Sequence, residues 1–355
     1  MSEQISESMG ADQKKARALG LSSGGLDSIL AALVLRDVGI EVEWITFETP
    51  FFSSEKAKKA ARLHSIPVMV QNITAPYLEM LKNPPCGYGK HMNPCMDCHA
   101  LMFKLAGAVM KEKGFDFLFS GEVLGQRPMS QTRPSLRYVE KHSGFDGHIL
   151  RPLSAVRLPE TIPEKKGLVN RESLLGITGR SRKPQIEIAK KYGVADYPAP
   201  AGGCLLTDKG YSARLKDLFA NQDQHTENEL HLMKYGRHFR INADLKVIVG
   251  RSKDENSRIA ELRDPAANVL LKTDRFPGPT VLMTGPTALI TDPTALITDQ
   301  GAMKDIHLAA SICLGYSKAP RQGEHPVLVS IPGDEKITIM AQALDPDRVK
   351  NLMIL

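Results

Sequence analysis

Cysteine is scarce in this chain, with five residues among 355. Five thiols cannot staple a fold of this size, so a disulfide scaffold is excluded. Long apolar runs are missing too. No stretch approaches the roughly 20 residues needed to span a bilayer, and no membrane partner is expected. The segment Met1–Lys15 is polar and lacks the apolar core of a secretory signal. The expected compartment is therefore the cytoplasm, where unpaired cysteines more often serve metal binding or catalysis. Neither sign of charge is in large excess: 46 Lys and Arg stand against 40 Asp and Glu, a net +6. What is present is an ordinary soluble composition, 42% apolar and 24% charged, which supports a real core and argues against disorder as the main state. The length suits about two domains.

The distribution of charge says more than its sum. Residues 221–355 hold 16 basic and 17 acidic side chains, leaving 30 basic and 23 acidic for residues 1–220. The positive balance of the first part suits a polyanionic partner such as RNA or a nucleotide. A surface fluctuation is the plain alternative.

Apolar stretches alternate with helical patterns after the polar leader, residues 1–16. Strands are expected at Ala18–Leu21, Val42–Phe47, Pro67–Ile73, Asp116–Ser120 and His148–Leu150, and helices at Ile29–Val38, Glu55–His64, Leu101–Lys113 and Lys183–Tyr192. This alternation predicts an α/β fold, a doubly wound parallel sheet covered on both faces, over residues 17–220. Residues 154–182 mix Pro159, Pro163 and basic residues with little periodicity and read as loop with short helices. The composition turns polar around Ala220–Glu229, where a domain boundary is placed. Residues 221–355 then read as a smaller α+β module, with strands at Lys246–Gly250, Asn268–Lys272, Pro279–Met283, Val327–Ile331 and Lys336–Met340 and a helix at Met303–Leu314. Its segment Pro286–Asp292 repeats directly as Pro293–Asp299. So short a tandem copy is no solenoid and carries no function here.

The clearest chemical signal is Ser22-Ser23-Gly24-Gly25-Leu26-Asp27-Ser28, between the first strand and the first helix. Doubly wound sheets bind ligands there, beyond the carboxyl ends of their strands. The glycines let backbone approach a phosphate, the serines offer hydroxyls, and the helix aims its first amides at the anion. No Walker lysine follows, and the run is not GxGxxG. A Gly/Ser turn with Asp27 as a helix-start residue is the plain alternative. Two further stretches accompany the loop: Gly121-Glu122-Val123-Leu124-Gly125-Gln126 with Ser130-Gln131-Thr132, and Arg151-Pro152-Leu153 with the later KPQIEIAKKYG of residues 183–193. Together they resemble the PP-loop ATP pyrophosphatases, and within them the tRNA 4-thiouridine synthetases, over roughly residues 17–215. The resemblance implies an adenine nucleotide α-hydrolase-like fold. It also implies ATP held by Ser22–Ser28 with Gly121 and Gln126, and transfer of AMP to a substrate oxygen. Mg2+ would accompany ATP, with Asp27 holding it or orienting the substrate.

Cys95 and Cys98 form a CxxC behind Asn93-Pro94, a good cap and first helical residue, so both thiols fall in a first helical turn where the dipole favours thiolate. Cys204 follows Gly202-Gly203, a pair that leaves room for a bulky ligand. Three readings stay open. The trio could ligate three irons of a [4Fe–4S] cluster, a pattern that resembles the iron–sulfur-dependent tRNA thiolases. One CxxC thiol could pair with Cys204 as a metal-free persulfide carrier. A structural zinc site could be completed by His99. Cys86 reads as a loop cysteine within reach of the site, a fourth ligand or sulfur relay being the alternatives, and Cys313 as core.

Arg127, Arg133, Arg137, Arg180, Arg182 and Lys183 are the candidates for RNA phosphate, against the alternative of a solvated loop. In the C-terminal module, Lys246-Val247-Ile248-Val249-Gly250-Arg251 with Glu255-Asn256 looks like an NFACT-type RNA-binding domain, with an interaction or dimer module as the alternative. The combination predicts an ATP-dependent tRNA thiouridine synthetase whose catalytic residues are Asp27, Cys95, Cys98 and Cys204. Its partners would be tRNA and a sulfur donor, either sulfide or a cysteine desulfurase. An ATP-dependent amidoligase on a small acid, which needs no cysteines, and an RNA-binding protein without catalysis are the competing classes.

Overall fold

The computed structural model describes residues 15–199, 203–285 and 299–355. The chain divides into two compact units, Met1–Cys204 and Leu205–Leu355. The division falls earlier than the 220/221 junction read from composition. The helix α8 (Lys209–Asn221) explains why. Its Asp217 pairs with Arg240, its Tyr211 hydroxyl donates to the Leu230 carbonyl at 3.1 Å, and Arg214 donates to the Met233 carbonyl at 2.6 Å.

The first unit is built on five parallel strands: β1 (Arg17–Leu21), β2 (Glu41–Glu48), β3 (Val68–Asn72), β4 (Phe117–Ser120) and β5 (Ile149–Leu150). Their spatial order is β3-β2-β1-β4-β5. The chain thus winds outward on one side of β1, then returns to pair β4 on its other side. That reversal opens a crevice beyond the carboxyl ends of β1 and β4. Buried runs of apolar residues mark β1, β2 and β4 as interior strands; Trp44, Ile45, Phe117 and Leu118 are fully enclosed. Burial of each such side chain contributes about 1.5–3 kcal/mol.

The helices are α1 (Leu26–Asp37), α2 (Glu55–His64), α3 (Thr74–Lys82), α4 (Cys95–Lys113), α5 (Arg133–Ser143), α6 (Ile162–Lys165) and α7 (Lys183–Lys191). α1 packs beside α7, and α4 beside α3 and α5. Two helices were not anticipated. α3 carries Pro76 and α5 carries Pro134, both within a first turn, where proline has no intrahelical N–H bond to lose. α4 starts one residue later than expected: Pro94 occupies the cap, and the Asn93 side chain instead donates to Cys95 Sγ at 3.3 Å. Residues 154–182 are loop with short helical turns, as read from sequence.

The second unit is an antiparallel sheet of six strands, β6 (Arg237–Arg240), β7 (Lys246–Val249), β8 (Val269–Thr273), β9 (Val281–Thr284), β10 (His325–Ser330) and β11 (Lys336–Ala341), ordered β11-β10-β8-β9-β7-β6. Strand alternation sorts its two faces. Val247, Val249, Val281 and Met283 join the core under the helix Gln300–Gly315, where Cys313 is buried with Ile306 and Ala310. Ile248 and Leu282 point the other way, against Leu232 and Ile259 of α9 (Glu227–Leu232) and α10 (Lys253–Glu261). The PTALITD duplication lies outside the described residues apart from Asp299, which caps the helix Gln300–Gly315. Among the described residues no helix is long and apolar enough to cross a membrane.

Candidate functional site

The turn after β1 is built by two glycines with different tasks. Ser22 is held by its N–H to the Ile45 carbonyl at 3.0 Å, and its hydroxyl accepts from the Gly24 N–H at 3.2 Å. Gly24 has a left-handed backbone, φ +70°, and a Cβ there would lie 2.3 Å from the Lys56 carbonyl carbon. Gly24 is therefore required by the fold, because α2 passes directly against it. Gly25 is the extended cap of α1, φ −79° and ψ 164°, and no side chain caps the helix. A Cβ on Gly25 would meet only Ser23 Oγ, at 3.5 Å. Its face is thus open, and the first amides of α1 are left for an anion. Ser28 is nearly buried, whereas the Leu26 side chain belongs to the core, so Leu26 can offer a ligand only backbone.

Gly121 presses on this turn from β4. A Cβ there would sit 2.3 Å from the carbonyl carbon of Asp27 and 2.5 Å from the amide of Ser28. The stretch that follows supplies a wall. Gln126 Nε2 donates to Asp27 Oδ2 at 2.9 Å, and Gln185 Nε2 of α7 donates to Gln126 Oε1 at 3.1 Å. Burial raises the Asp27 carboxyl above its usual value, opposed by the Gln126 bond, the charges of Arg182 and Arg127, and a weaker bond from Gln185. Asp27 Oδ1 is buried with no hydrogen-bond partner. Glu122 is a structural anchor. Burial alone would raise it, but the Arg151 guanidinium at 3.0 Å and His99 Nδ1 at 2.8 Å hold it down at about 2. Arg151 also pairs with Glu140 of α5. Ser130 and Gln131 are buried, and Thr132 caps α5 by accepting from the Ser135 N–H at 3.2 Å; that stretch is explained by helix capping.

The thiols gather around Tyr77 of α3. Its buried phenol hydrogen-bonds Cys98 and feels Cys204 and Cys95 as well. Burial pushes the Cys98 thiol up, and Cys204 and Cys95 push it further, against the bond from Tyr77. This is opposite to the lowering expected at a helix start; desolvation and thiol neighbours outweigh the dipole. Cys95, Cys98 and Cys204, distant in sequence, are thus neighbours. Cys86 is held elsewhere, its N–H on Asp97 Oδ2 at 2.9 Å and its thiol on Tyr138, whose hydroxyl donates to Asp97 Oδ1 at 2.8 Å. Two links join thiols to phosphate turn. Lys56 lies under Gly24 by its backbone and brings Nζ to 3.8 Å from a Cβ built on Gly203, beside Cys204. His99, next to Cys98, holds Glu122, next to Gly121.

The basic segment after residue 178 runs along the same wall. Leu124 bridges Thr178, and the Gly179 N–H donates to the Leu124 carbonyl at 2.8 Å. Arg182 caps α7. Arg133 donates to the Arg157 carbonyl at 2.8 Å. Arg137 is committed to Asp146 and Glu140. In the second unit, Lys246 is buried; burial, with Arg240 nearby, lowers its ammonium to about 8. Sequence reasoning missed Tyr77, Gln185 and Lys56. Tyr77 and Lys56 sit in no motif, and Gln185 stands within KPQIEIAKKYG with nothing in the sequence to single it out; their place in three dimensions distinguishes them.

Residues 13–163 match the family model described as Thiamine biosynthesis protein (ThiI), and residues 236–290 match the NFACT protein RNA binding domain. The first match falls within the first compact unit and the second within the second. It is 33% identical over 155 residues to the probable tRNA sulfurtransferase of Thermoanaerobacter sp. strain X514, covering 41% of this chain and 39% of the relative. With the protein of the same description from Oceanobacillus iheyensis it is 27% identical over 160 residues, 41% of this chain and 37% of the relative. The chain thus spans well under half the length of these relatives. A crystal structure of a 4-thiouridine synthetase–RNA complex with bound ATP superposes with a TM-score of 0.33 at 20% identity, covering 50% of this chain and 52% of that one.

Proposed function

We propose that this protein is an ATP-dependent tRNA sulfurtransferase that adenylates a uridine carbonyl oxygen and replaces it with sulfur. The observation that carries this reading is the meeting of an open phosphate turn with three thiols through shared neighbours, in the domain whose relatives are described as probable tRNA sulfurtransferases. An amidoligase would have no use for the thiols.

A uracil oxygen is a poor leaving group, and adenylation converts it to a phosphate-linked one. The oxygen forms a bond to the α-phosphorus of ATP as the bond to pyrophosphate breaks. Backbone amides of Gly24–Ser28 and the hydroxyls of Ser22, Ser23 and Ser28 stabilise the charge that builds on phosphate oxygens. Gly25 lets the phosphates approach, and Gly121 keeps the turn in place. The two-electron pair of a sulfide then attacks the activated carbon, the carbon–oxygen bond breaks, and AMP departs. Arg180, Arg182 and Lys183, with Arg127 and Arg133, receive the RNA backbone beside this wall.

The residues fit the cofactors the reaction calls for. Asp27 Oδ1, buried and without a donor, suits a hard cation, and Asp27 would hold Mg2+ to neutralise phosphate charge. Cys95, Cys98 and Cys204 form an all-thiol donor set, which suits iron–sulfur chemistry. They would hold a [4Fe–4S] cluster, which supplies a soft open iron position for sulfur. Among the described residues no group of three or more His, Cys, Asp or Glu side chains is placed to hold a metal ion as it stands, so the cluster and the zinc alternative alike require the three thiols to draw closer together.

The test is anaerobic incubation of the full chain with ATP, Mg2+, sulfide and unmodified tRNA, reading AMP, pyrophosphate and thionucleoside by mass spectrometry. The proposal predicts equal yields of AMP and thiouridine, with Asp27→Ala losing both while keeping its thermal midpoint. AMP release by Asp27→Ala at the wild-type rate would refute it.

A further inference from the structure

Behind Asp27 lies a chain of two amides with a fixed polarity. A carboxylate only accepts hydrogen bonds, so Gln126 must turn its NH2 group to Asp27 Oδ2, as it does at 2.9 Å. That choice sends Gln126 Oε1 away from the loop, where it needs a donor. Gln185 Nε2 supplies one at 3.1 Å. Gln185 is fully buried in the first turn of α7, and α7 is itself pinned to α1 by the Tyr192 hydroxyl on Asp37 Oδ2 at 3.0 Å. Without the Gln185 donor, Gln126 Oε1 would be left with no partner from α7, and the amide would be free to swing away from Asp27. Two acceptors are left over in this interior, Asp27 Oδ1 and Gln185 Oε1, both buried and without donors, and Arg182 Nε one turn away is a buried donor without an acceptor. Gln185 also reaches the Asp27 carboxyl directly and helps to lower it, so the two amides together hold Asp27 in one orientation, with Oδ2 bonded to Gln126 and Oδ1 the less satisfied oxygen.

We infer that Gln185 is a positioning residue for adenylation: it locks the Gln126 amide so that Asp27 presents Oδ1 to the side where Mg2+ would accompany the nucleotide. It touches no substrate itself. Because Gln185 stands three residues after Arg182, the same helix turn that carries the basic approach of α7 also sets the polarity of the amide chain. This inference rests on the ATP-dependent reading above.

The test uses the full chain and the variants Gln185→Met, Gln126→Met and the double variant, each first checked for a cooperative thermal transition. Gln185→Asn keeps an amide but is one methylene too short to span the gap, and it stands in if the methionine variant fails to fold. In protein labelled with nitrogen-15 at glutamine side chains, the Gln126 NH2 pair, assigned by its loss in Gln126→Met, shows two slowly exchanging protons. Loss of that protection in Gln185→Met or Gln185→Asn is expected. In the tRNA-dependent AMP assay, kcat falls at least 10-fold in Gln185→Met while the KM for ATP stays within twofold, and the double variant is no slower than Gln126→Met alone. An unchanged Gln126 signal, or losses that multiply in the double variant, overturns the inference. A wild-type chain that forms no AMP refutes the functional reading instead, and the amide signal still decides the role of Gln185.

Discussion

Gly25→Ala should separate ligand binding from folding. The residue has an extended backbone that alanine adopts without strain, and the added Cβ meets only Ser23 Oγ at 3.5 Å, an ordinary contact. Stability should therefore fall by no more than about 1 kcal/mol, the cost of alanine in place of glycine at a helix cap, partly offset as the unfolded chain loses freedom. The phosphates, by contrast, need the space that the methyl group takes. Crowding of this kind costs about 1–3 kcal/mol, which is roughly 5- to 150-fold in the Kd for ATP. Gly24→Ala should behave the other way. Its left-handed backbone costs about 1–2 kcal/mol with a side chain, and a Cβ 2.3 Å from the Lys56 backbone adds the cost of moving α2. Calorimetric titration with ATP and a thermal melt on both variants make the assay. Wild-type ATP affinity in Gly25→Ala, or a loss of stability matching that of Gly24→Ala, would refute the division of labour between the two glycines.

Two further predictions concern pH. Glu122 is held at about 2 by Arg151 and His99 against an ordinary value of 4.5, a stabilisation of about 3 kcal/mol that is fully present above pH 4.5 and lost as pH falls toward 2. Urea unfolding between pH 5 and 2 should show it, with a shallower decline in Glu122→Gln; an equal slope contradicts the assignment. Lys246 is depressed to about 8 against 10.5, so the unfolded chain binds the extra proton and stability should rise between pH 8 and 10.5, by up to about 3 kcal/mol. Lys246→Met should flatten that rise, and a persisting slope would place its origin elsewhere.

Most of the first sheet was legible because interior parallel strands announce themselves as apolar runs, and the turn at Ser22–Ser28 because serine, glycine and aspartate sit where a strand ends. α3 and α5 were hidden by Pro76 and Pro134, which look like breakers until their first-turn positions are known. β6, RHFR, carries charge at both ends and owes its place to pairing with β7. The approach of Cys204 to Cys95 and Cys98 joins segments more than 100 residues apart, which no local pattern encodes, and Tyr77 at its centre sits in no motif. Lys246, part of an apparent RNA-binding motif, is buried rather than presented to a partner.

In the proposed reaction the phosphate turn and the thiols serve two successive halves, activation and sulfur transfer. The most direct measurement is AMP and thiouridine yield from Cys204→Ala beside wild type, with ATP, sulfide and unmodified tRNA under anaerobic conditions. Pyrophosphate release should persist in the variant while thiouridine disappears. Thiouridine formed by Cys204→Ala at the wild-type yield would contradict the account.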